Sequence, residues 1–321
     1  MKILAYSYRQ DETEYFQKFS EKYQVDIMMC KDAPSLNNAH LAKGCACISI
    51  ITTPIGAALL KKFYQAGVRY ISTRTIGYEH IDIKYADQIG IDVGNITYSP
   101  GSVADYTVML MLMAIRKIKA IMARSQVQDY SLRAVRGREL KNMTVGVIGT
   151  GRIGQAVIKN LSGFGSRLLA YDLLPNEKAA RYAVYVSLEE LLEQSDIITL
   201  HVPADENNVH LINNETIARM KDGVCIINTA RGSLIDTQAL IDGIEQKKIG
   251  SAALDVIENE TALYYNDLKC EVLKNRELAV LNSYPNVIVT PHTAFFTDQA
   301  VSDMVENSIL NCSAFMKNHT A

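Results

Sequence analysis

Midway along the chain the sequence reads Thr144-Val-Gly-Val-Ile148, followed at once by Gly149-Thr-Gly-Arg-Ile-Gly154. A short β-branched run that enters G-x-G-x-x-G and then a helix-compatible segment admits few folds. Gly149 suits the tight turn, Gly151 lets backbone approach a pyrophosphate, and Gly154 lets the helix pack closely on the strand. The helix that opens there offers N–H groups and the positive end of its dipole to phosphates. Arg152 and Ile153 lie within the turn, and Arg152 adds a charge. Glycine triplets alone are weak signals; the strand before and the helix after give this one its meaning.

The rest of this half repeats the pattern. Strands are expected at Val145–Ile148, Leu168–Tyr171, Ile197–Leu200, Val224–Ile227, Ala252–Val256 and Val287–Val289. Helices are expected between them at Gly154–Gly163, Leu188–Gln194, Glu215–Met220 and Thr237–Gln246. Six strands with crossover helices predict a doubly wound, dinucleotide-binding Rossmann sheet. Asp172 ends the second strand, where a carboxylate accepts from the adenosine ribose hydroxyls and repels a 2′-phosphate. Leu173-Leu174-Pro175-Asn176 supply no arginine to welcome that phosphate, so NAD is expected rather than NADP.

The chain has 321 residues, enough for about two domains of roughly 150 each. Its first hundred residues alternate on their own account. Strands are expected at Lys2–Ala5, Val25–Met29, Cys45–Ile50, Tyr70–Ser72 and Ile91–Val93, with helices at Glu12–Tyr23, Ser35–Lys43 and Ile55–Ala66. That predicts a second parallel α/β sheet. Pro100-Gly101 punctuates the chain, and Ser102 with Asp105 resembles a capping box opening a long helix. The helix is apolar almost all round (Val108 to Met113), so burial on several sides is expected. Asp298 to Phe315 reads as one amphipathic helix able to pack back on the first domain.

Charge excludes several classes. Lys+Arg 33 against Asp+Glu 35 gives −2, so nothing steers the molecule toward nucleic acid or anionic lipid. The uncharged stretches Gly44–Leu60 and Leu278–Thr297 are too short or too broken for a membrane span. The apolar run before Arg9 is too short for a signal peptide. Six cysteines without a Cys-x-x-Cys pair are expected as reduced thiols in a cytoplasmic protein. Cys45 and Cys47 share a strand face; two small apolar side chains are the simpler reading than a metal pair, and no metal site is expected. Arg133, Arg136, Arg138 and Lys141 read as a solvated face.

Ligands of open α/β sheets bind beyond the carboxyl ends of the strands. The polar residues there are His201, Arg231, Asp255 with Glu258 and Glu260, and His292. Arginine offers a planar fork to a carboxylate. Histidine can protonate a carbonyl oxygen as hydride arrives, and a neighbouring carboxylate orients it and favours its charged form. Spacing alone leaves His201 and His292 open as the acid. His40, His80, His210 and His319 read as loop or surface residues.

Val147-Ile-Gly-Thr-Gly-Arg-Ile-Gly154, Leu200-His-Val-Pro203, Ile227-Asn-Thr-Ala-Arg-Gly232, Ala253-Leu-Asp-Val256 and Pro291-His-Thr-Ala294 together resemble the D-isomer-specific 2-hydroxyacid dehydrogenases. The similarity runs through essentially the whole chain. Ile71-Ser-Thr-Arg-Thr-Ile-Gly77, Tyr98-Ser-Pro-Gly-Ser-Val-Ala-Asp-Tyr106 and Val305-Glu-Asn-Ser-Ile309 are most similar to its D-lactate dehydrogenase branch, including the vancomycin-resistance type. The resemblance implies a Rossmann NAD-binding domain, 100–297, inserted into a flavodoxin-like substrate domain, 1–99 plus 298–321. It implies Arg231 as substrate-carboxylate arginine, His292 as acid/base and Glu260 as its carboxylate partner, with Glu258 two residues away the competitor. It implies Asp255 near the nicotinamide carboxamide, and His201, Val202, Pro203, Thr229 and Ala230 along the cofactor. Ile76 and Gly77 resemble the loop whose N–H groups receive the substrate carboxylate, and Tyr98 a pocket residue.

The expected activity is NADH-dependent reduction of a 2-keto acid to a D-2-hydroxy acid, pyruvate to D-lactate first. A larger branched or aromatic keto acid is the alternative, since Phe295, Phe296, Tyr264 and Tyr265 suit either pocket. An NAD(H)-sensing, corepressor-like binding protein shares the family and is the reading from another class. The resemblance also implies a homodimer built on the helix after Pro100.

Overall fold

The computed structural model describes residues 2–260 and 263–319. It comprises two compact units, Met1–Ser99 with Phe296–Ala321 and Pro100–Phe295. Each carries its own parallel sheet.

In the first unit β1 (Lys2–Ala5), β2 (Asp26–Met29), β3 (Cys47–Ile50), β4 (Tyr70–Thr73) and β5 (Asp92–Asn95) lie in the order β2-β1-β3-β4-β5. That is the flavodoxin-like order. Side chains alternate across the sheet as the pleat requires. Leu4, Ile48, Ile50 and Ile71 face α2 (Ala57–Ala66) through Leu60 and Phe63. Ile3, Ala5 and Cys47 face Phe16 and Phe19 of α1 (Thr13–Tyr23) and Val305, Ile309 and Cys312 of the C-terminal helix, Asp298–His319.

Ser35–Lys43 is not a helix beyond a 3-10 turn at Ala39–Ala42, because Asn38 takes Ser35 N–H (2.8 Å) and donates to Ala33 C=O (2.8 Å). Such local bonds compete with helix formation. A helix α3 (Ile83–Ile89) was not expected, although Asp82 caps it through Tyr85 N–H and Gly90 ends it at φ +78°. Sequence also gave no sign of the buried pair Arg74–Glu12 (2.9 Å), which Ser49 and the carbonyl of Tyr6 complete.

Among the described residues the second unit has seven parallel strands, not six: β6 (Thr144–Ile148), β7 (Arg167–Tyr171), β8 (Val184–Tyr185), β9 (Ile197–Leu200), β10 (Val224–Asn228), β11 (Ile249–Leu254) and β12 (Val287–Val289). Their order is β12-β11-β10-β9-β6-β7-β8. The unexpected β8 is two residues long, below any periodicity signal. Strand order reverses between β6 and β9, and the crevice beyond that switch point is where such sheets bind ligands.

Helix α4 (Gly101–Ile115) begins one residue before Ser102, with Pro100 at its cap. The expected capping box is therefore displaced: Ser102 stands inside the helix. Val103, Ala104, Val108, Leu110, Met111, Ala114 and Ile115 are buried, whereas Met109 is 40% exposed. One face thus stays uncovered within the unit. Further helices are α5 (Ile118–Ser125), α6 (Arg152–Ser162), α7 (Glu177–Ala180), α8 (Leu188–Gln194), α9 (Asn214–Arg219), α10 (Thr237–Glu245) and α11 (Arg276–Ser283). No helix among the described residues is long and apolar enough to cross a membrane.

Candidate active site

The second unit gathers most of the named residues at the carboxyl ends of β6, β7, β9, β10, β11 and β12. Gly149 follows β6 at φ +95°, a conformation that L side chains rarely adopt. A Cβ on Gly154 would lie 2.0 Å from Gly149 C=O, so helix and turn pack without room for a methyl group. A Cβ on Gly151 would meet nothing within 4 Å. That open face, at the N-terminus of α6, leaves room for an anion beside the helix N–H groups.

Asp172 follows β7. Its Oδ2 accepts from Thr150 N–H (2.6 Å) and Thr150 Oγ1 (2.9 Å), and its Oδ1 from Leu174 N–H (3.0 Å). Burial pushes its pKa up, but the bonds from Leu174 and Thr150 outweigh that and hold the carboxyl below its ordinary value.

His201 follows β9. Burial pushes its pKa down to about 3, so the ring is neutral at physiological pH. Its Nε2 meets Thr199 Oγ1 at 2.9 Å, and its buried Nδ1 has no partner among the described residues. Val202 packs against the turn, since a Cβ on Gly149 would reach its Cγ1 at 2.8 Å. Open cradle, carboxylate and orphaned ring nitrogen together fit a dinucleotide.

After β10, Asn228 folds the chain back: it donates to Arg231 C=O (2.8 Å) and accepts from Ala230 N–H (3.0 Å). Thr229 Oγ1 pairs with Thr107 Oγ1 of α4 at 2.8 Å. Arg231 Nη1 donates to Ala230 C=O (2.8 Å), with its side chain half-buried. Gly232 packs against the backbone of Ile257, 2.1 Å from where a Cβ would stand, which ties the Arg231 loop to the loop after β11.

Asp255 leaves β11 and is 1% exposed. Its carboxylate accepts from Thr290 Oγ1 (2.6 Å), Thr293 N–H (2.9 Å) and Ala294 N–H (2.8 Å). The residue expected beside a nicotinamide thus spends three acceptor sites on the His292 loop. His292 N–H donates to Asp255 C=O (2.8 Å) and Thr290 C=O (3.0 Å), which holds His292 at φ +53°. A non-glycine residue there is strained by roughly 1–3 kcal/mol and persists only where its surroundings determine it.

His292 Nδ1 meets Glu260 Oε1 at 2.5 Å, and Glu260 Oε2 accepts Ile257 N–H at 3.0 Å. Tyr265 donates its hydroxyl to His292 C=O (2.9 Å), and the rings of Tyr265 and Phe295 stand 6.3 Å and 6.4 Å from the imidazole. Glu258 lies elsewhere. It accepts from Thr237 N–H (3.0 Å), Thr237 Oγ1 (2.6 Å) and His210 Nε2 (2.8 Å). Its carboxyl is held below its ordinary value, with burial opposing the bonds from Thr237 and His210. His210, read as a loop or surface residue, stands in a turn with 41% of its side chain exposed, and Glu258 raises its pKa, with burial opposing and Asp236 assisting.

Ile76, Gly77 and Tyr98 belong to the first unit. Thr75 Oγ1 donates to Gly77 C=O (2.5 Å) and Asn95 Nδ2 to Ile76 C=O (2.6 Å), so the loop after β4 is pinned. Tyr98 is half-buried. Phe296, named with Phe295 from sequence, stands in this unit with the Arg9 guanidinium 5.3 Å from its ring. Sequence reading missed Asn228, Thr290 and His210. Asn228 lies inside a quoted motif, but Thr290 and His210 gain meaning only from partners 35 and 48 residues away.

The second unit therefore combines an open glycine turn at a helix N-terminus, a strand-end carboxylate, a loop arginine and a histidine–carboxylate pair. Residues 108–294 match the family described as D-isomer specific 2-hydroxyacid dehydrogenase, NAD binding domain. An aromatic 2-oxoacid reductase of Clostridium sporogenes is 46% identical over 98% of this chain and 96% of its own. A D-specific alpha-keto acid dehydrogenase of Enterococcus faecalis is 46% identical over 99% and 98%. The crystal structure of a D-lactate dehydrogenase from Treponema pallidum superposes with a TM-score of 0.91 at 32% identity, over 99% of this chain and 97% of that one. With the nucleotide-binding turn, the histidine–carboxylate pair and this likeness along the whole chain, the protein belongs to the D-isomer-specific 2-hydroxyacid dehydrogenases and is an NAD-dependent enzyme of that family.

Proposed function

We propose that the enzyme reduces a 2-keto acid to the D-2-hydroxy acid, with His292 as proton donor, Glu260 as its partner and Arg231 as substrate-carboxylate anchor. The observation that carries this reading is the 2.5 Å contact between His292 Nδ1 and Glu260. NADH, when bound, supplies the hydride. Gly149, Gly151, Arg152, Ile153 and Gly154 would hold its pyrophosphate, Asp172 its adenosine ribose, and His201, Val202, Pro203, Thr229 and Ala230 its remaining length. Asp255 holds the His292 loop in place. His292 Nε2 releases a proton to the carbonyl oxygen, and imidazolium is restored from solvent. His201 is unsuited to that step, because burial keeps it neutral. On this reading residues 1–99 with 298–321 form the substrate domain, where the N–H groups of the Ile76–Gly77 loop meet the substrate carboxylate and Tyr98 lines the pocket.

Among substrates, a keto acid with an aromatic or branched side chain is preferred. Phe295 and Tyr265 beside the imidazole support this, as does the reductase of aromatic 2-oxoacids at 46% identity. Pyruvate is the second reading, favoured by the D-lactate dehydrogenase of Lactiplantibacillus plantarum at 36%. Loss of NADH absorbance with phenylpyruvate, 2-ketoisocaproate and pyruvate tests both, and a kcat/KM highest for pyruvate would reverse the order. No oxidation of NADH with any 2-keto acid would overturn the reading.

The uncovered face of α4, with Met109, Leu112 and Met113 beside Phe164, supports a homodimer seated there. Light scattering of wild type and Met109→Asp tests it; a monomeric wild type would refute it.

A further inference from the structure

Asp172 is not held by β7 alone. Asn176 N–H donates to Tyr185 Oη at 2.8 Å, Tyr185 Oη to Thr150 Oγ1 at 2.8 Å, and Thr150 Oγ1 to Asp172 Oδ2 at 2.9 Å. A backbone N–H only donates and an ionised carboxylate only accepts, so both hydroxyl protons between them point one way. The other acceptor within reach of Tyr185, the carbonyl of Asn176, is longer at 3.4 Å.

The relay divides the labour of the carboxylate. Each oxygen has about two acceptor sites. Oδ2 fills both, because Thr150 N–H also reaches it at 2.6 Å. Oδ1 accepts Leu174 N–H at 3.0 Å, and the Leu173 N–H acts on the carboxylate more weakly, so Oδ1 is the oxygen with capacity left for a ribose hydroxyl. Thr150 N–H is at the same time withdrawn from phosphate binding. Tyr185 reaches this position because β8 pairs with β7, with Tyr185 opposite Ala170. Thr150 itself is 2% exposed, so the Tyr185 hydroxyl is the partner it needs.

We propose that Tyr185, acting through Thr150, is a positioning residue for the cofactor: it aims Asp172 Oδ1 at the adenosine ribose and so sets NADH affinity and selection against a 2′-phosphate. The proposal rests on the reading of Asp172 as the ribose acceptor. It adds a residue on a different strand, acting through the Thr150 hydroxyl.

Binding can be measured without turnover, by fluorescence titration of the full-length protein with NADH and separately with NADPH. Tyr185→Phe removes one hydroxyl; NADH should bind about three- to tenfold more weakly and the NADH/NADPH affinity ratio should narrow. Thr150→Val should do at least as much, whereas Thr150→Ser, which keeps the hydroxyl, should stay within about twofold of wild type. Melting curves establish that each variant folds, and Tyr185→Phe alone decides the matter if Thr150→Val does not. Weakened NADH binding in Asp172→Ala beside an unchanged Tyr185→Phe would overturn the relay while leaving the reading of Asp172 standing. An Asp172→Ala protein that binds NADH like wild type would overturn both.

Discussion

Glu260 holds His292 Nδ1 with one oxygen, at 2.5 Å, and Ile257 N–H with the other, at 3.0 Å. The carboxylate is tied at both ends, so the imidazole has one nitrogen left for chemistry. An ionised Glu260 only accepts, which places a proton on Nδ1 in the neutral ring as well as in the imidazolium. Nε2 is then a donor for reduction and an acceptor for oxidation with no rotation of the ring.

Removing that charge should weaken reduction. In Glu260→Gln the imidazolium loses a charge-assisted bond worth about 1.5–3 kcal/mol, so kcat/KM for the keto acid should fall by roughly one to two orders of magnitude. Steady-state kinetics check this, and a kcat/KM like that of wild type would exclude Glu260 as the partner.

Arg231→Lys should lower kcat/KM for the keto acid by roughly one to two orders of magnitude. A point charge cannot make two parallel bonds, and a charge-assisted bond contributes about 1.5–3 kcal/mol. NADH binding should change little. Steady-state kinetics with a fluorescence titration separate the two effects; equal losses in both would move Arg231 out of the substrate site.

Asp255→Asn turns one acceptor oxygen into an amide donor facing the N–H and hydroxyl groups of Thr290, Thr293 and Ala294. Leaving buried donors unmet costs about 1–3 kcal/mol. Urea unfolding should show that loss, together with reduced kcat from a released His292 loop. Wild-type stability would contradict the organising role.

His210 and Glu258 give a pH dependence of stability. His210 is raised from its ordinary value, so its contribution is fully present below about 6.5 and is lost as pH rises through the folded-state value. Glu258 is lowered, so its share is present above its ordinary value and lost in acid as pH falls through the folded-state value. His210→Gln should therefore lower Tm more at pH 6 than at pH 9. A deficit of equal size at both would mean that the pair contributes no charge interaction.

The glycines should part company. Gly151→Ala places its methyl in open space and should keep a Tm near wild type while NADH binding falls. Gly154→Ala collides with Gly149 C=O at 2.0 Å and should lower Tm itself. Thermal melts beside titrations distinguish them, and unweakened NADH binding by Gly151→Ala would argue against the cradle.

What sequence determined here is what is local in the chain. β6, the turn at Gly149–Gly154 and α6 form one contiguous segment whose steric demands are written in three glycines, so the sheet type and the cofactor class could be read directly. Strands as long as β9 and β12 carry enough apolar residues to be recognised, and Asp172 is legible because it ends one of them. Tyr185 is not, since a two-residue strand has no period. Glu258 and Glu260 are level in sequence, two residues apart and chemically alike. Only the fold separates them, by delivering Thr237 and His210 to one and His292 to the other. His201 and His292 likewise both follow strands; burial makes one neutral, while a carboxylate reaches the other. The role of Asp255 depends on donors from residues 290–294, which β12 brings alongside β11. Charge state and hydrogen-bond partnership depend on which atoms meet through space, and the segments that meet here are separated by tens of residues along the chain.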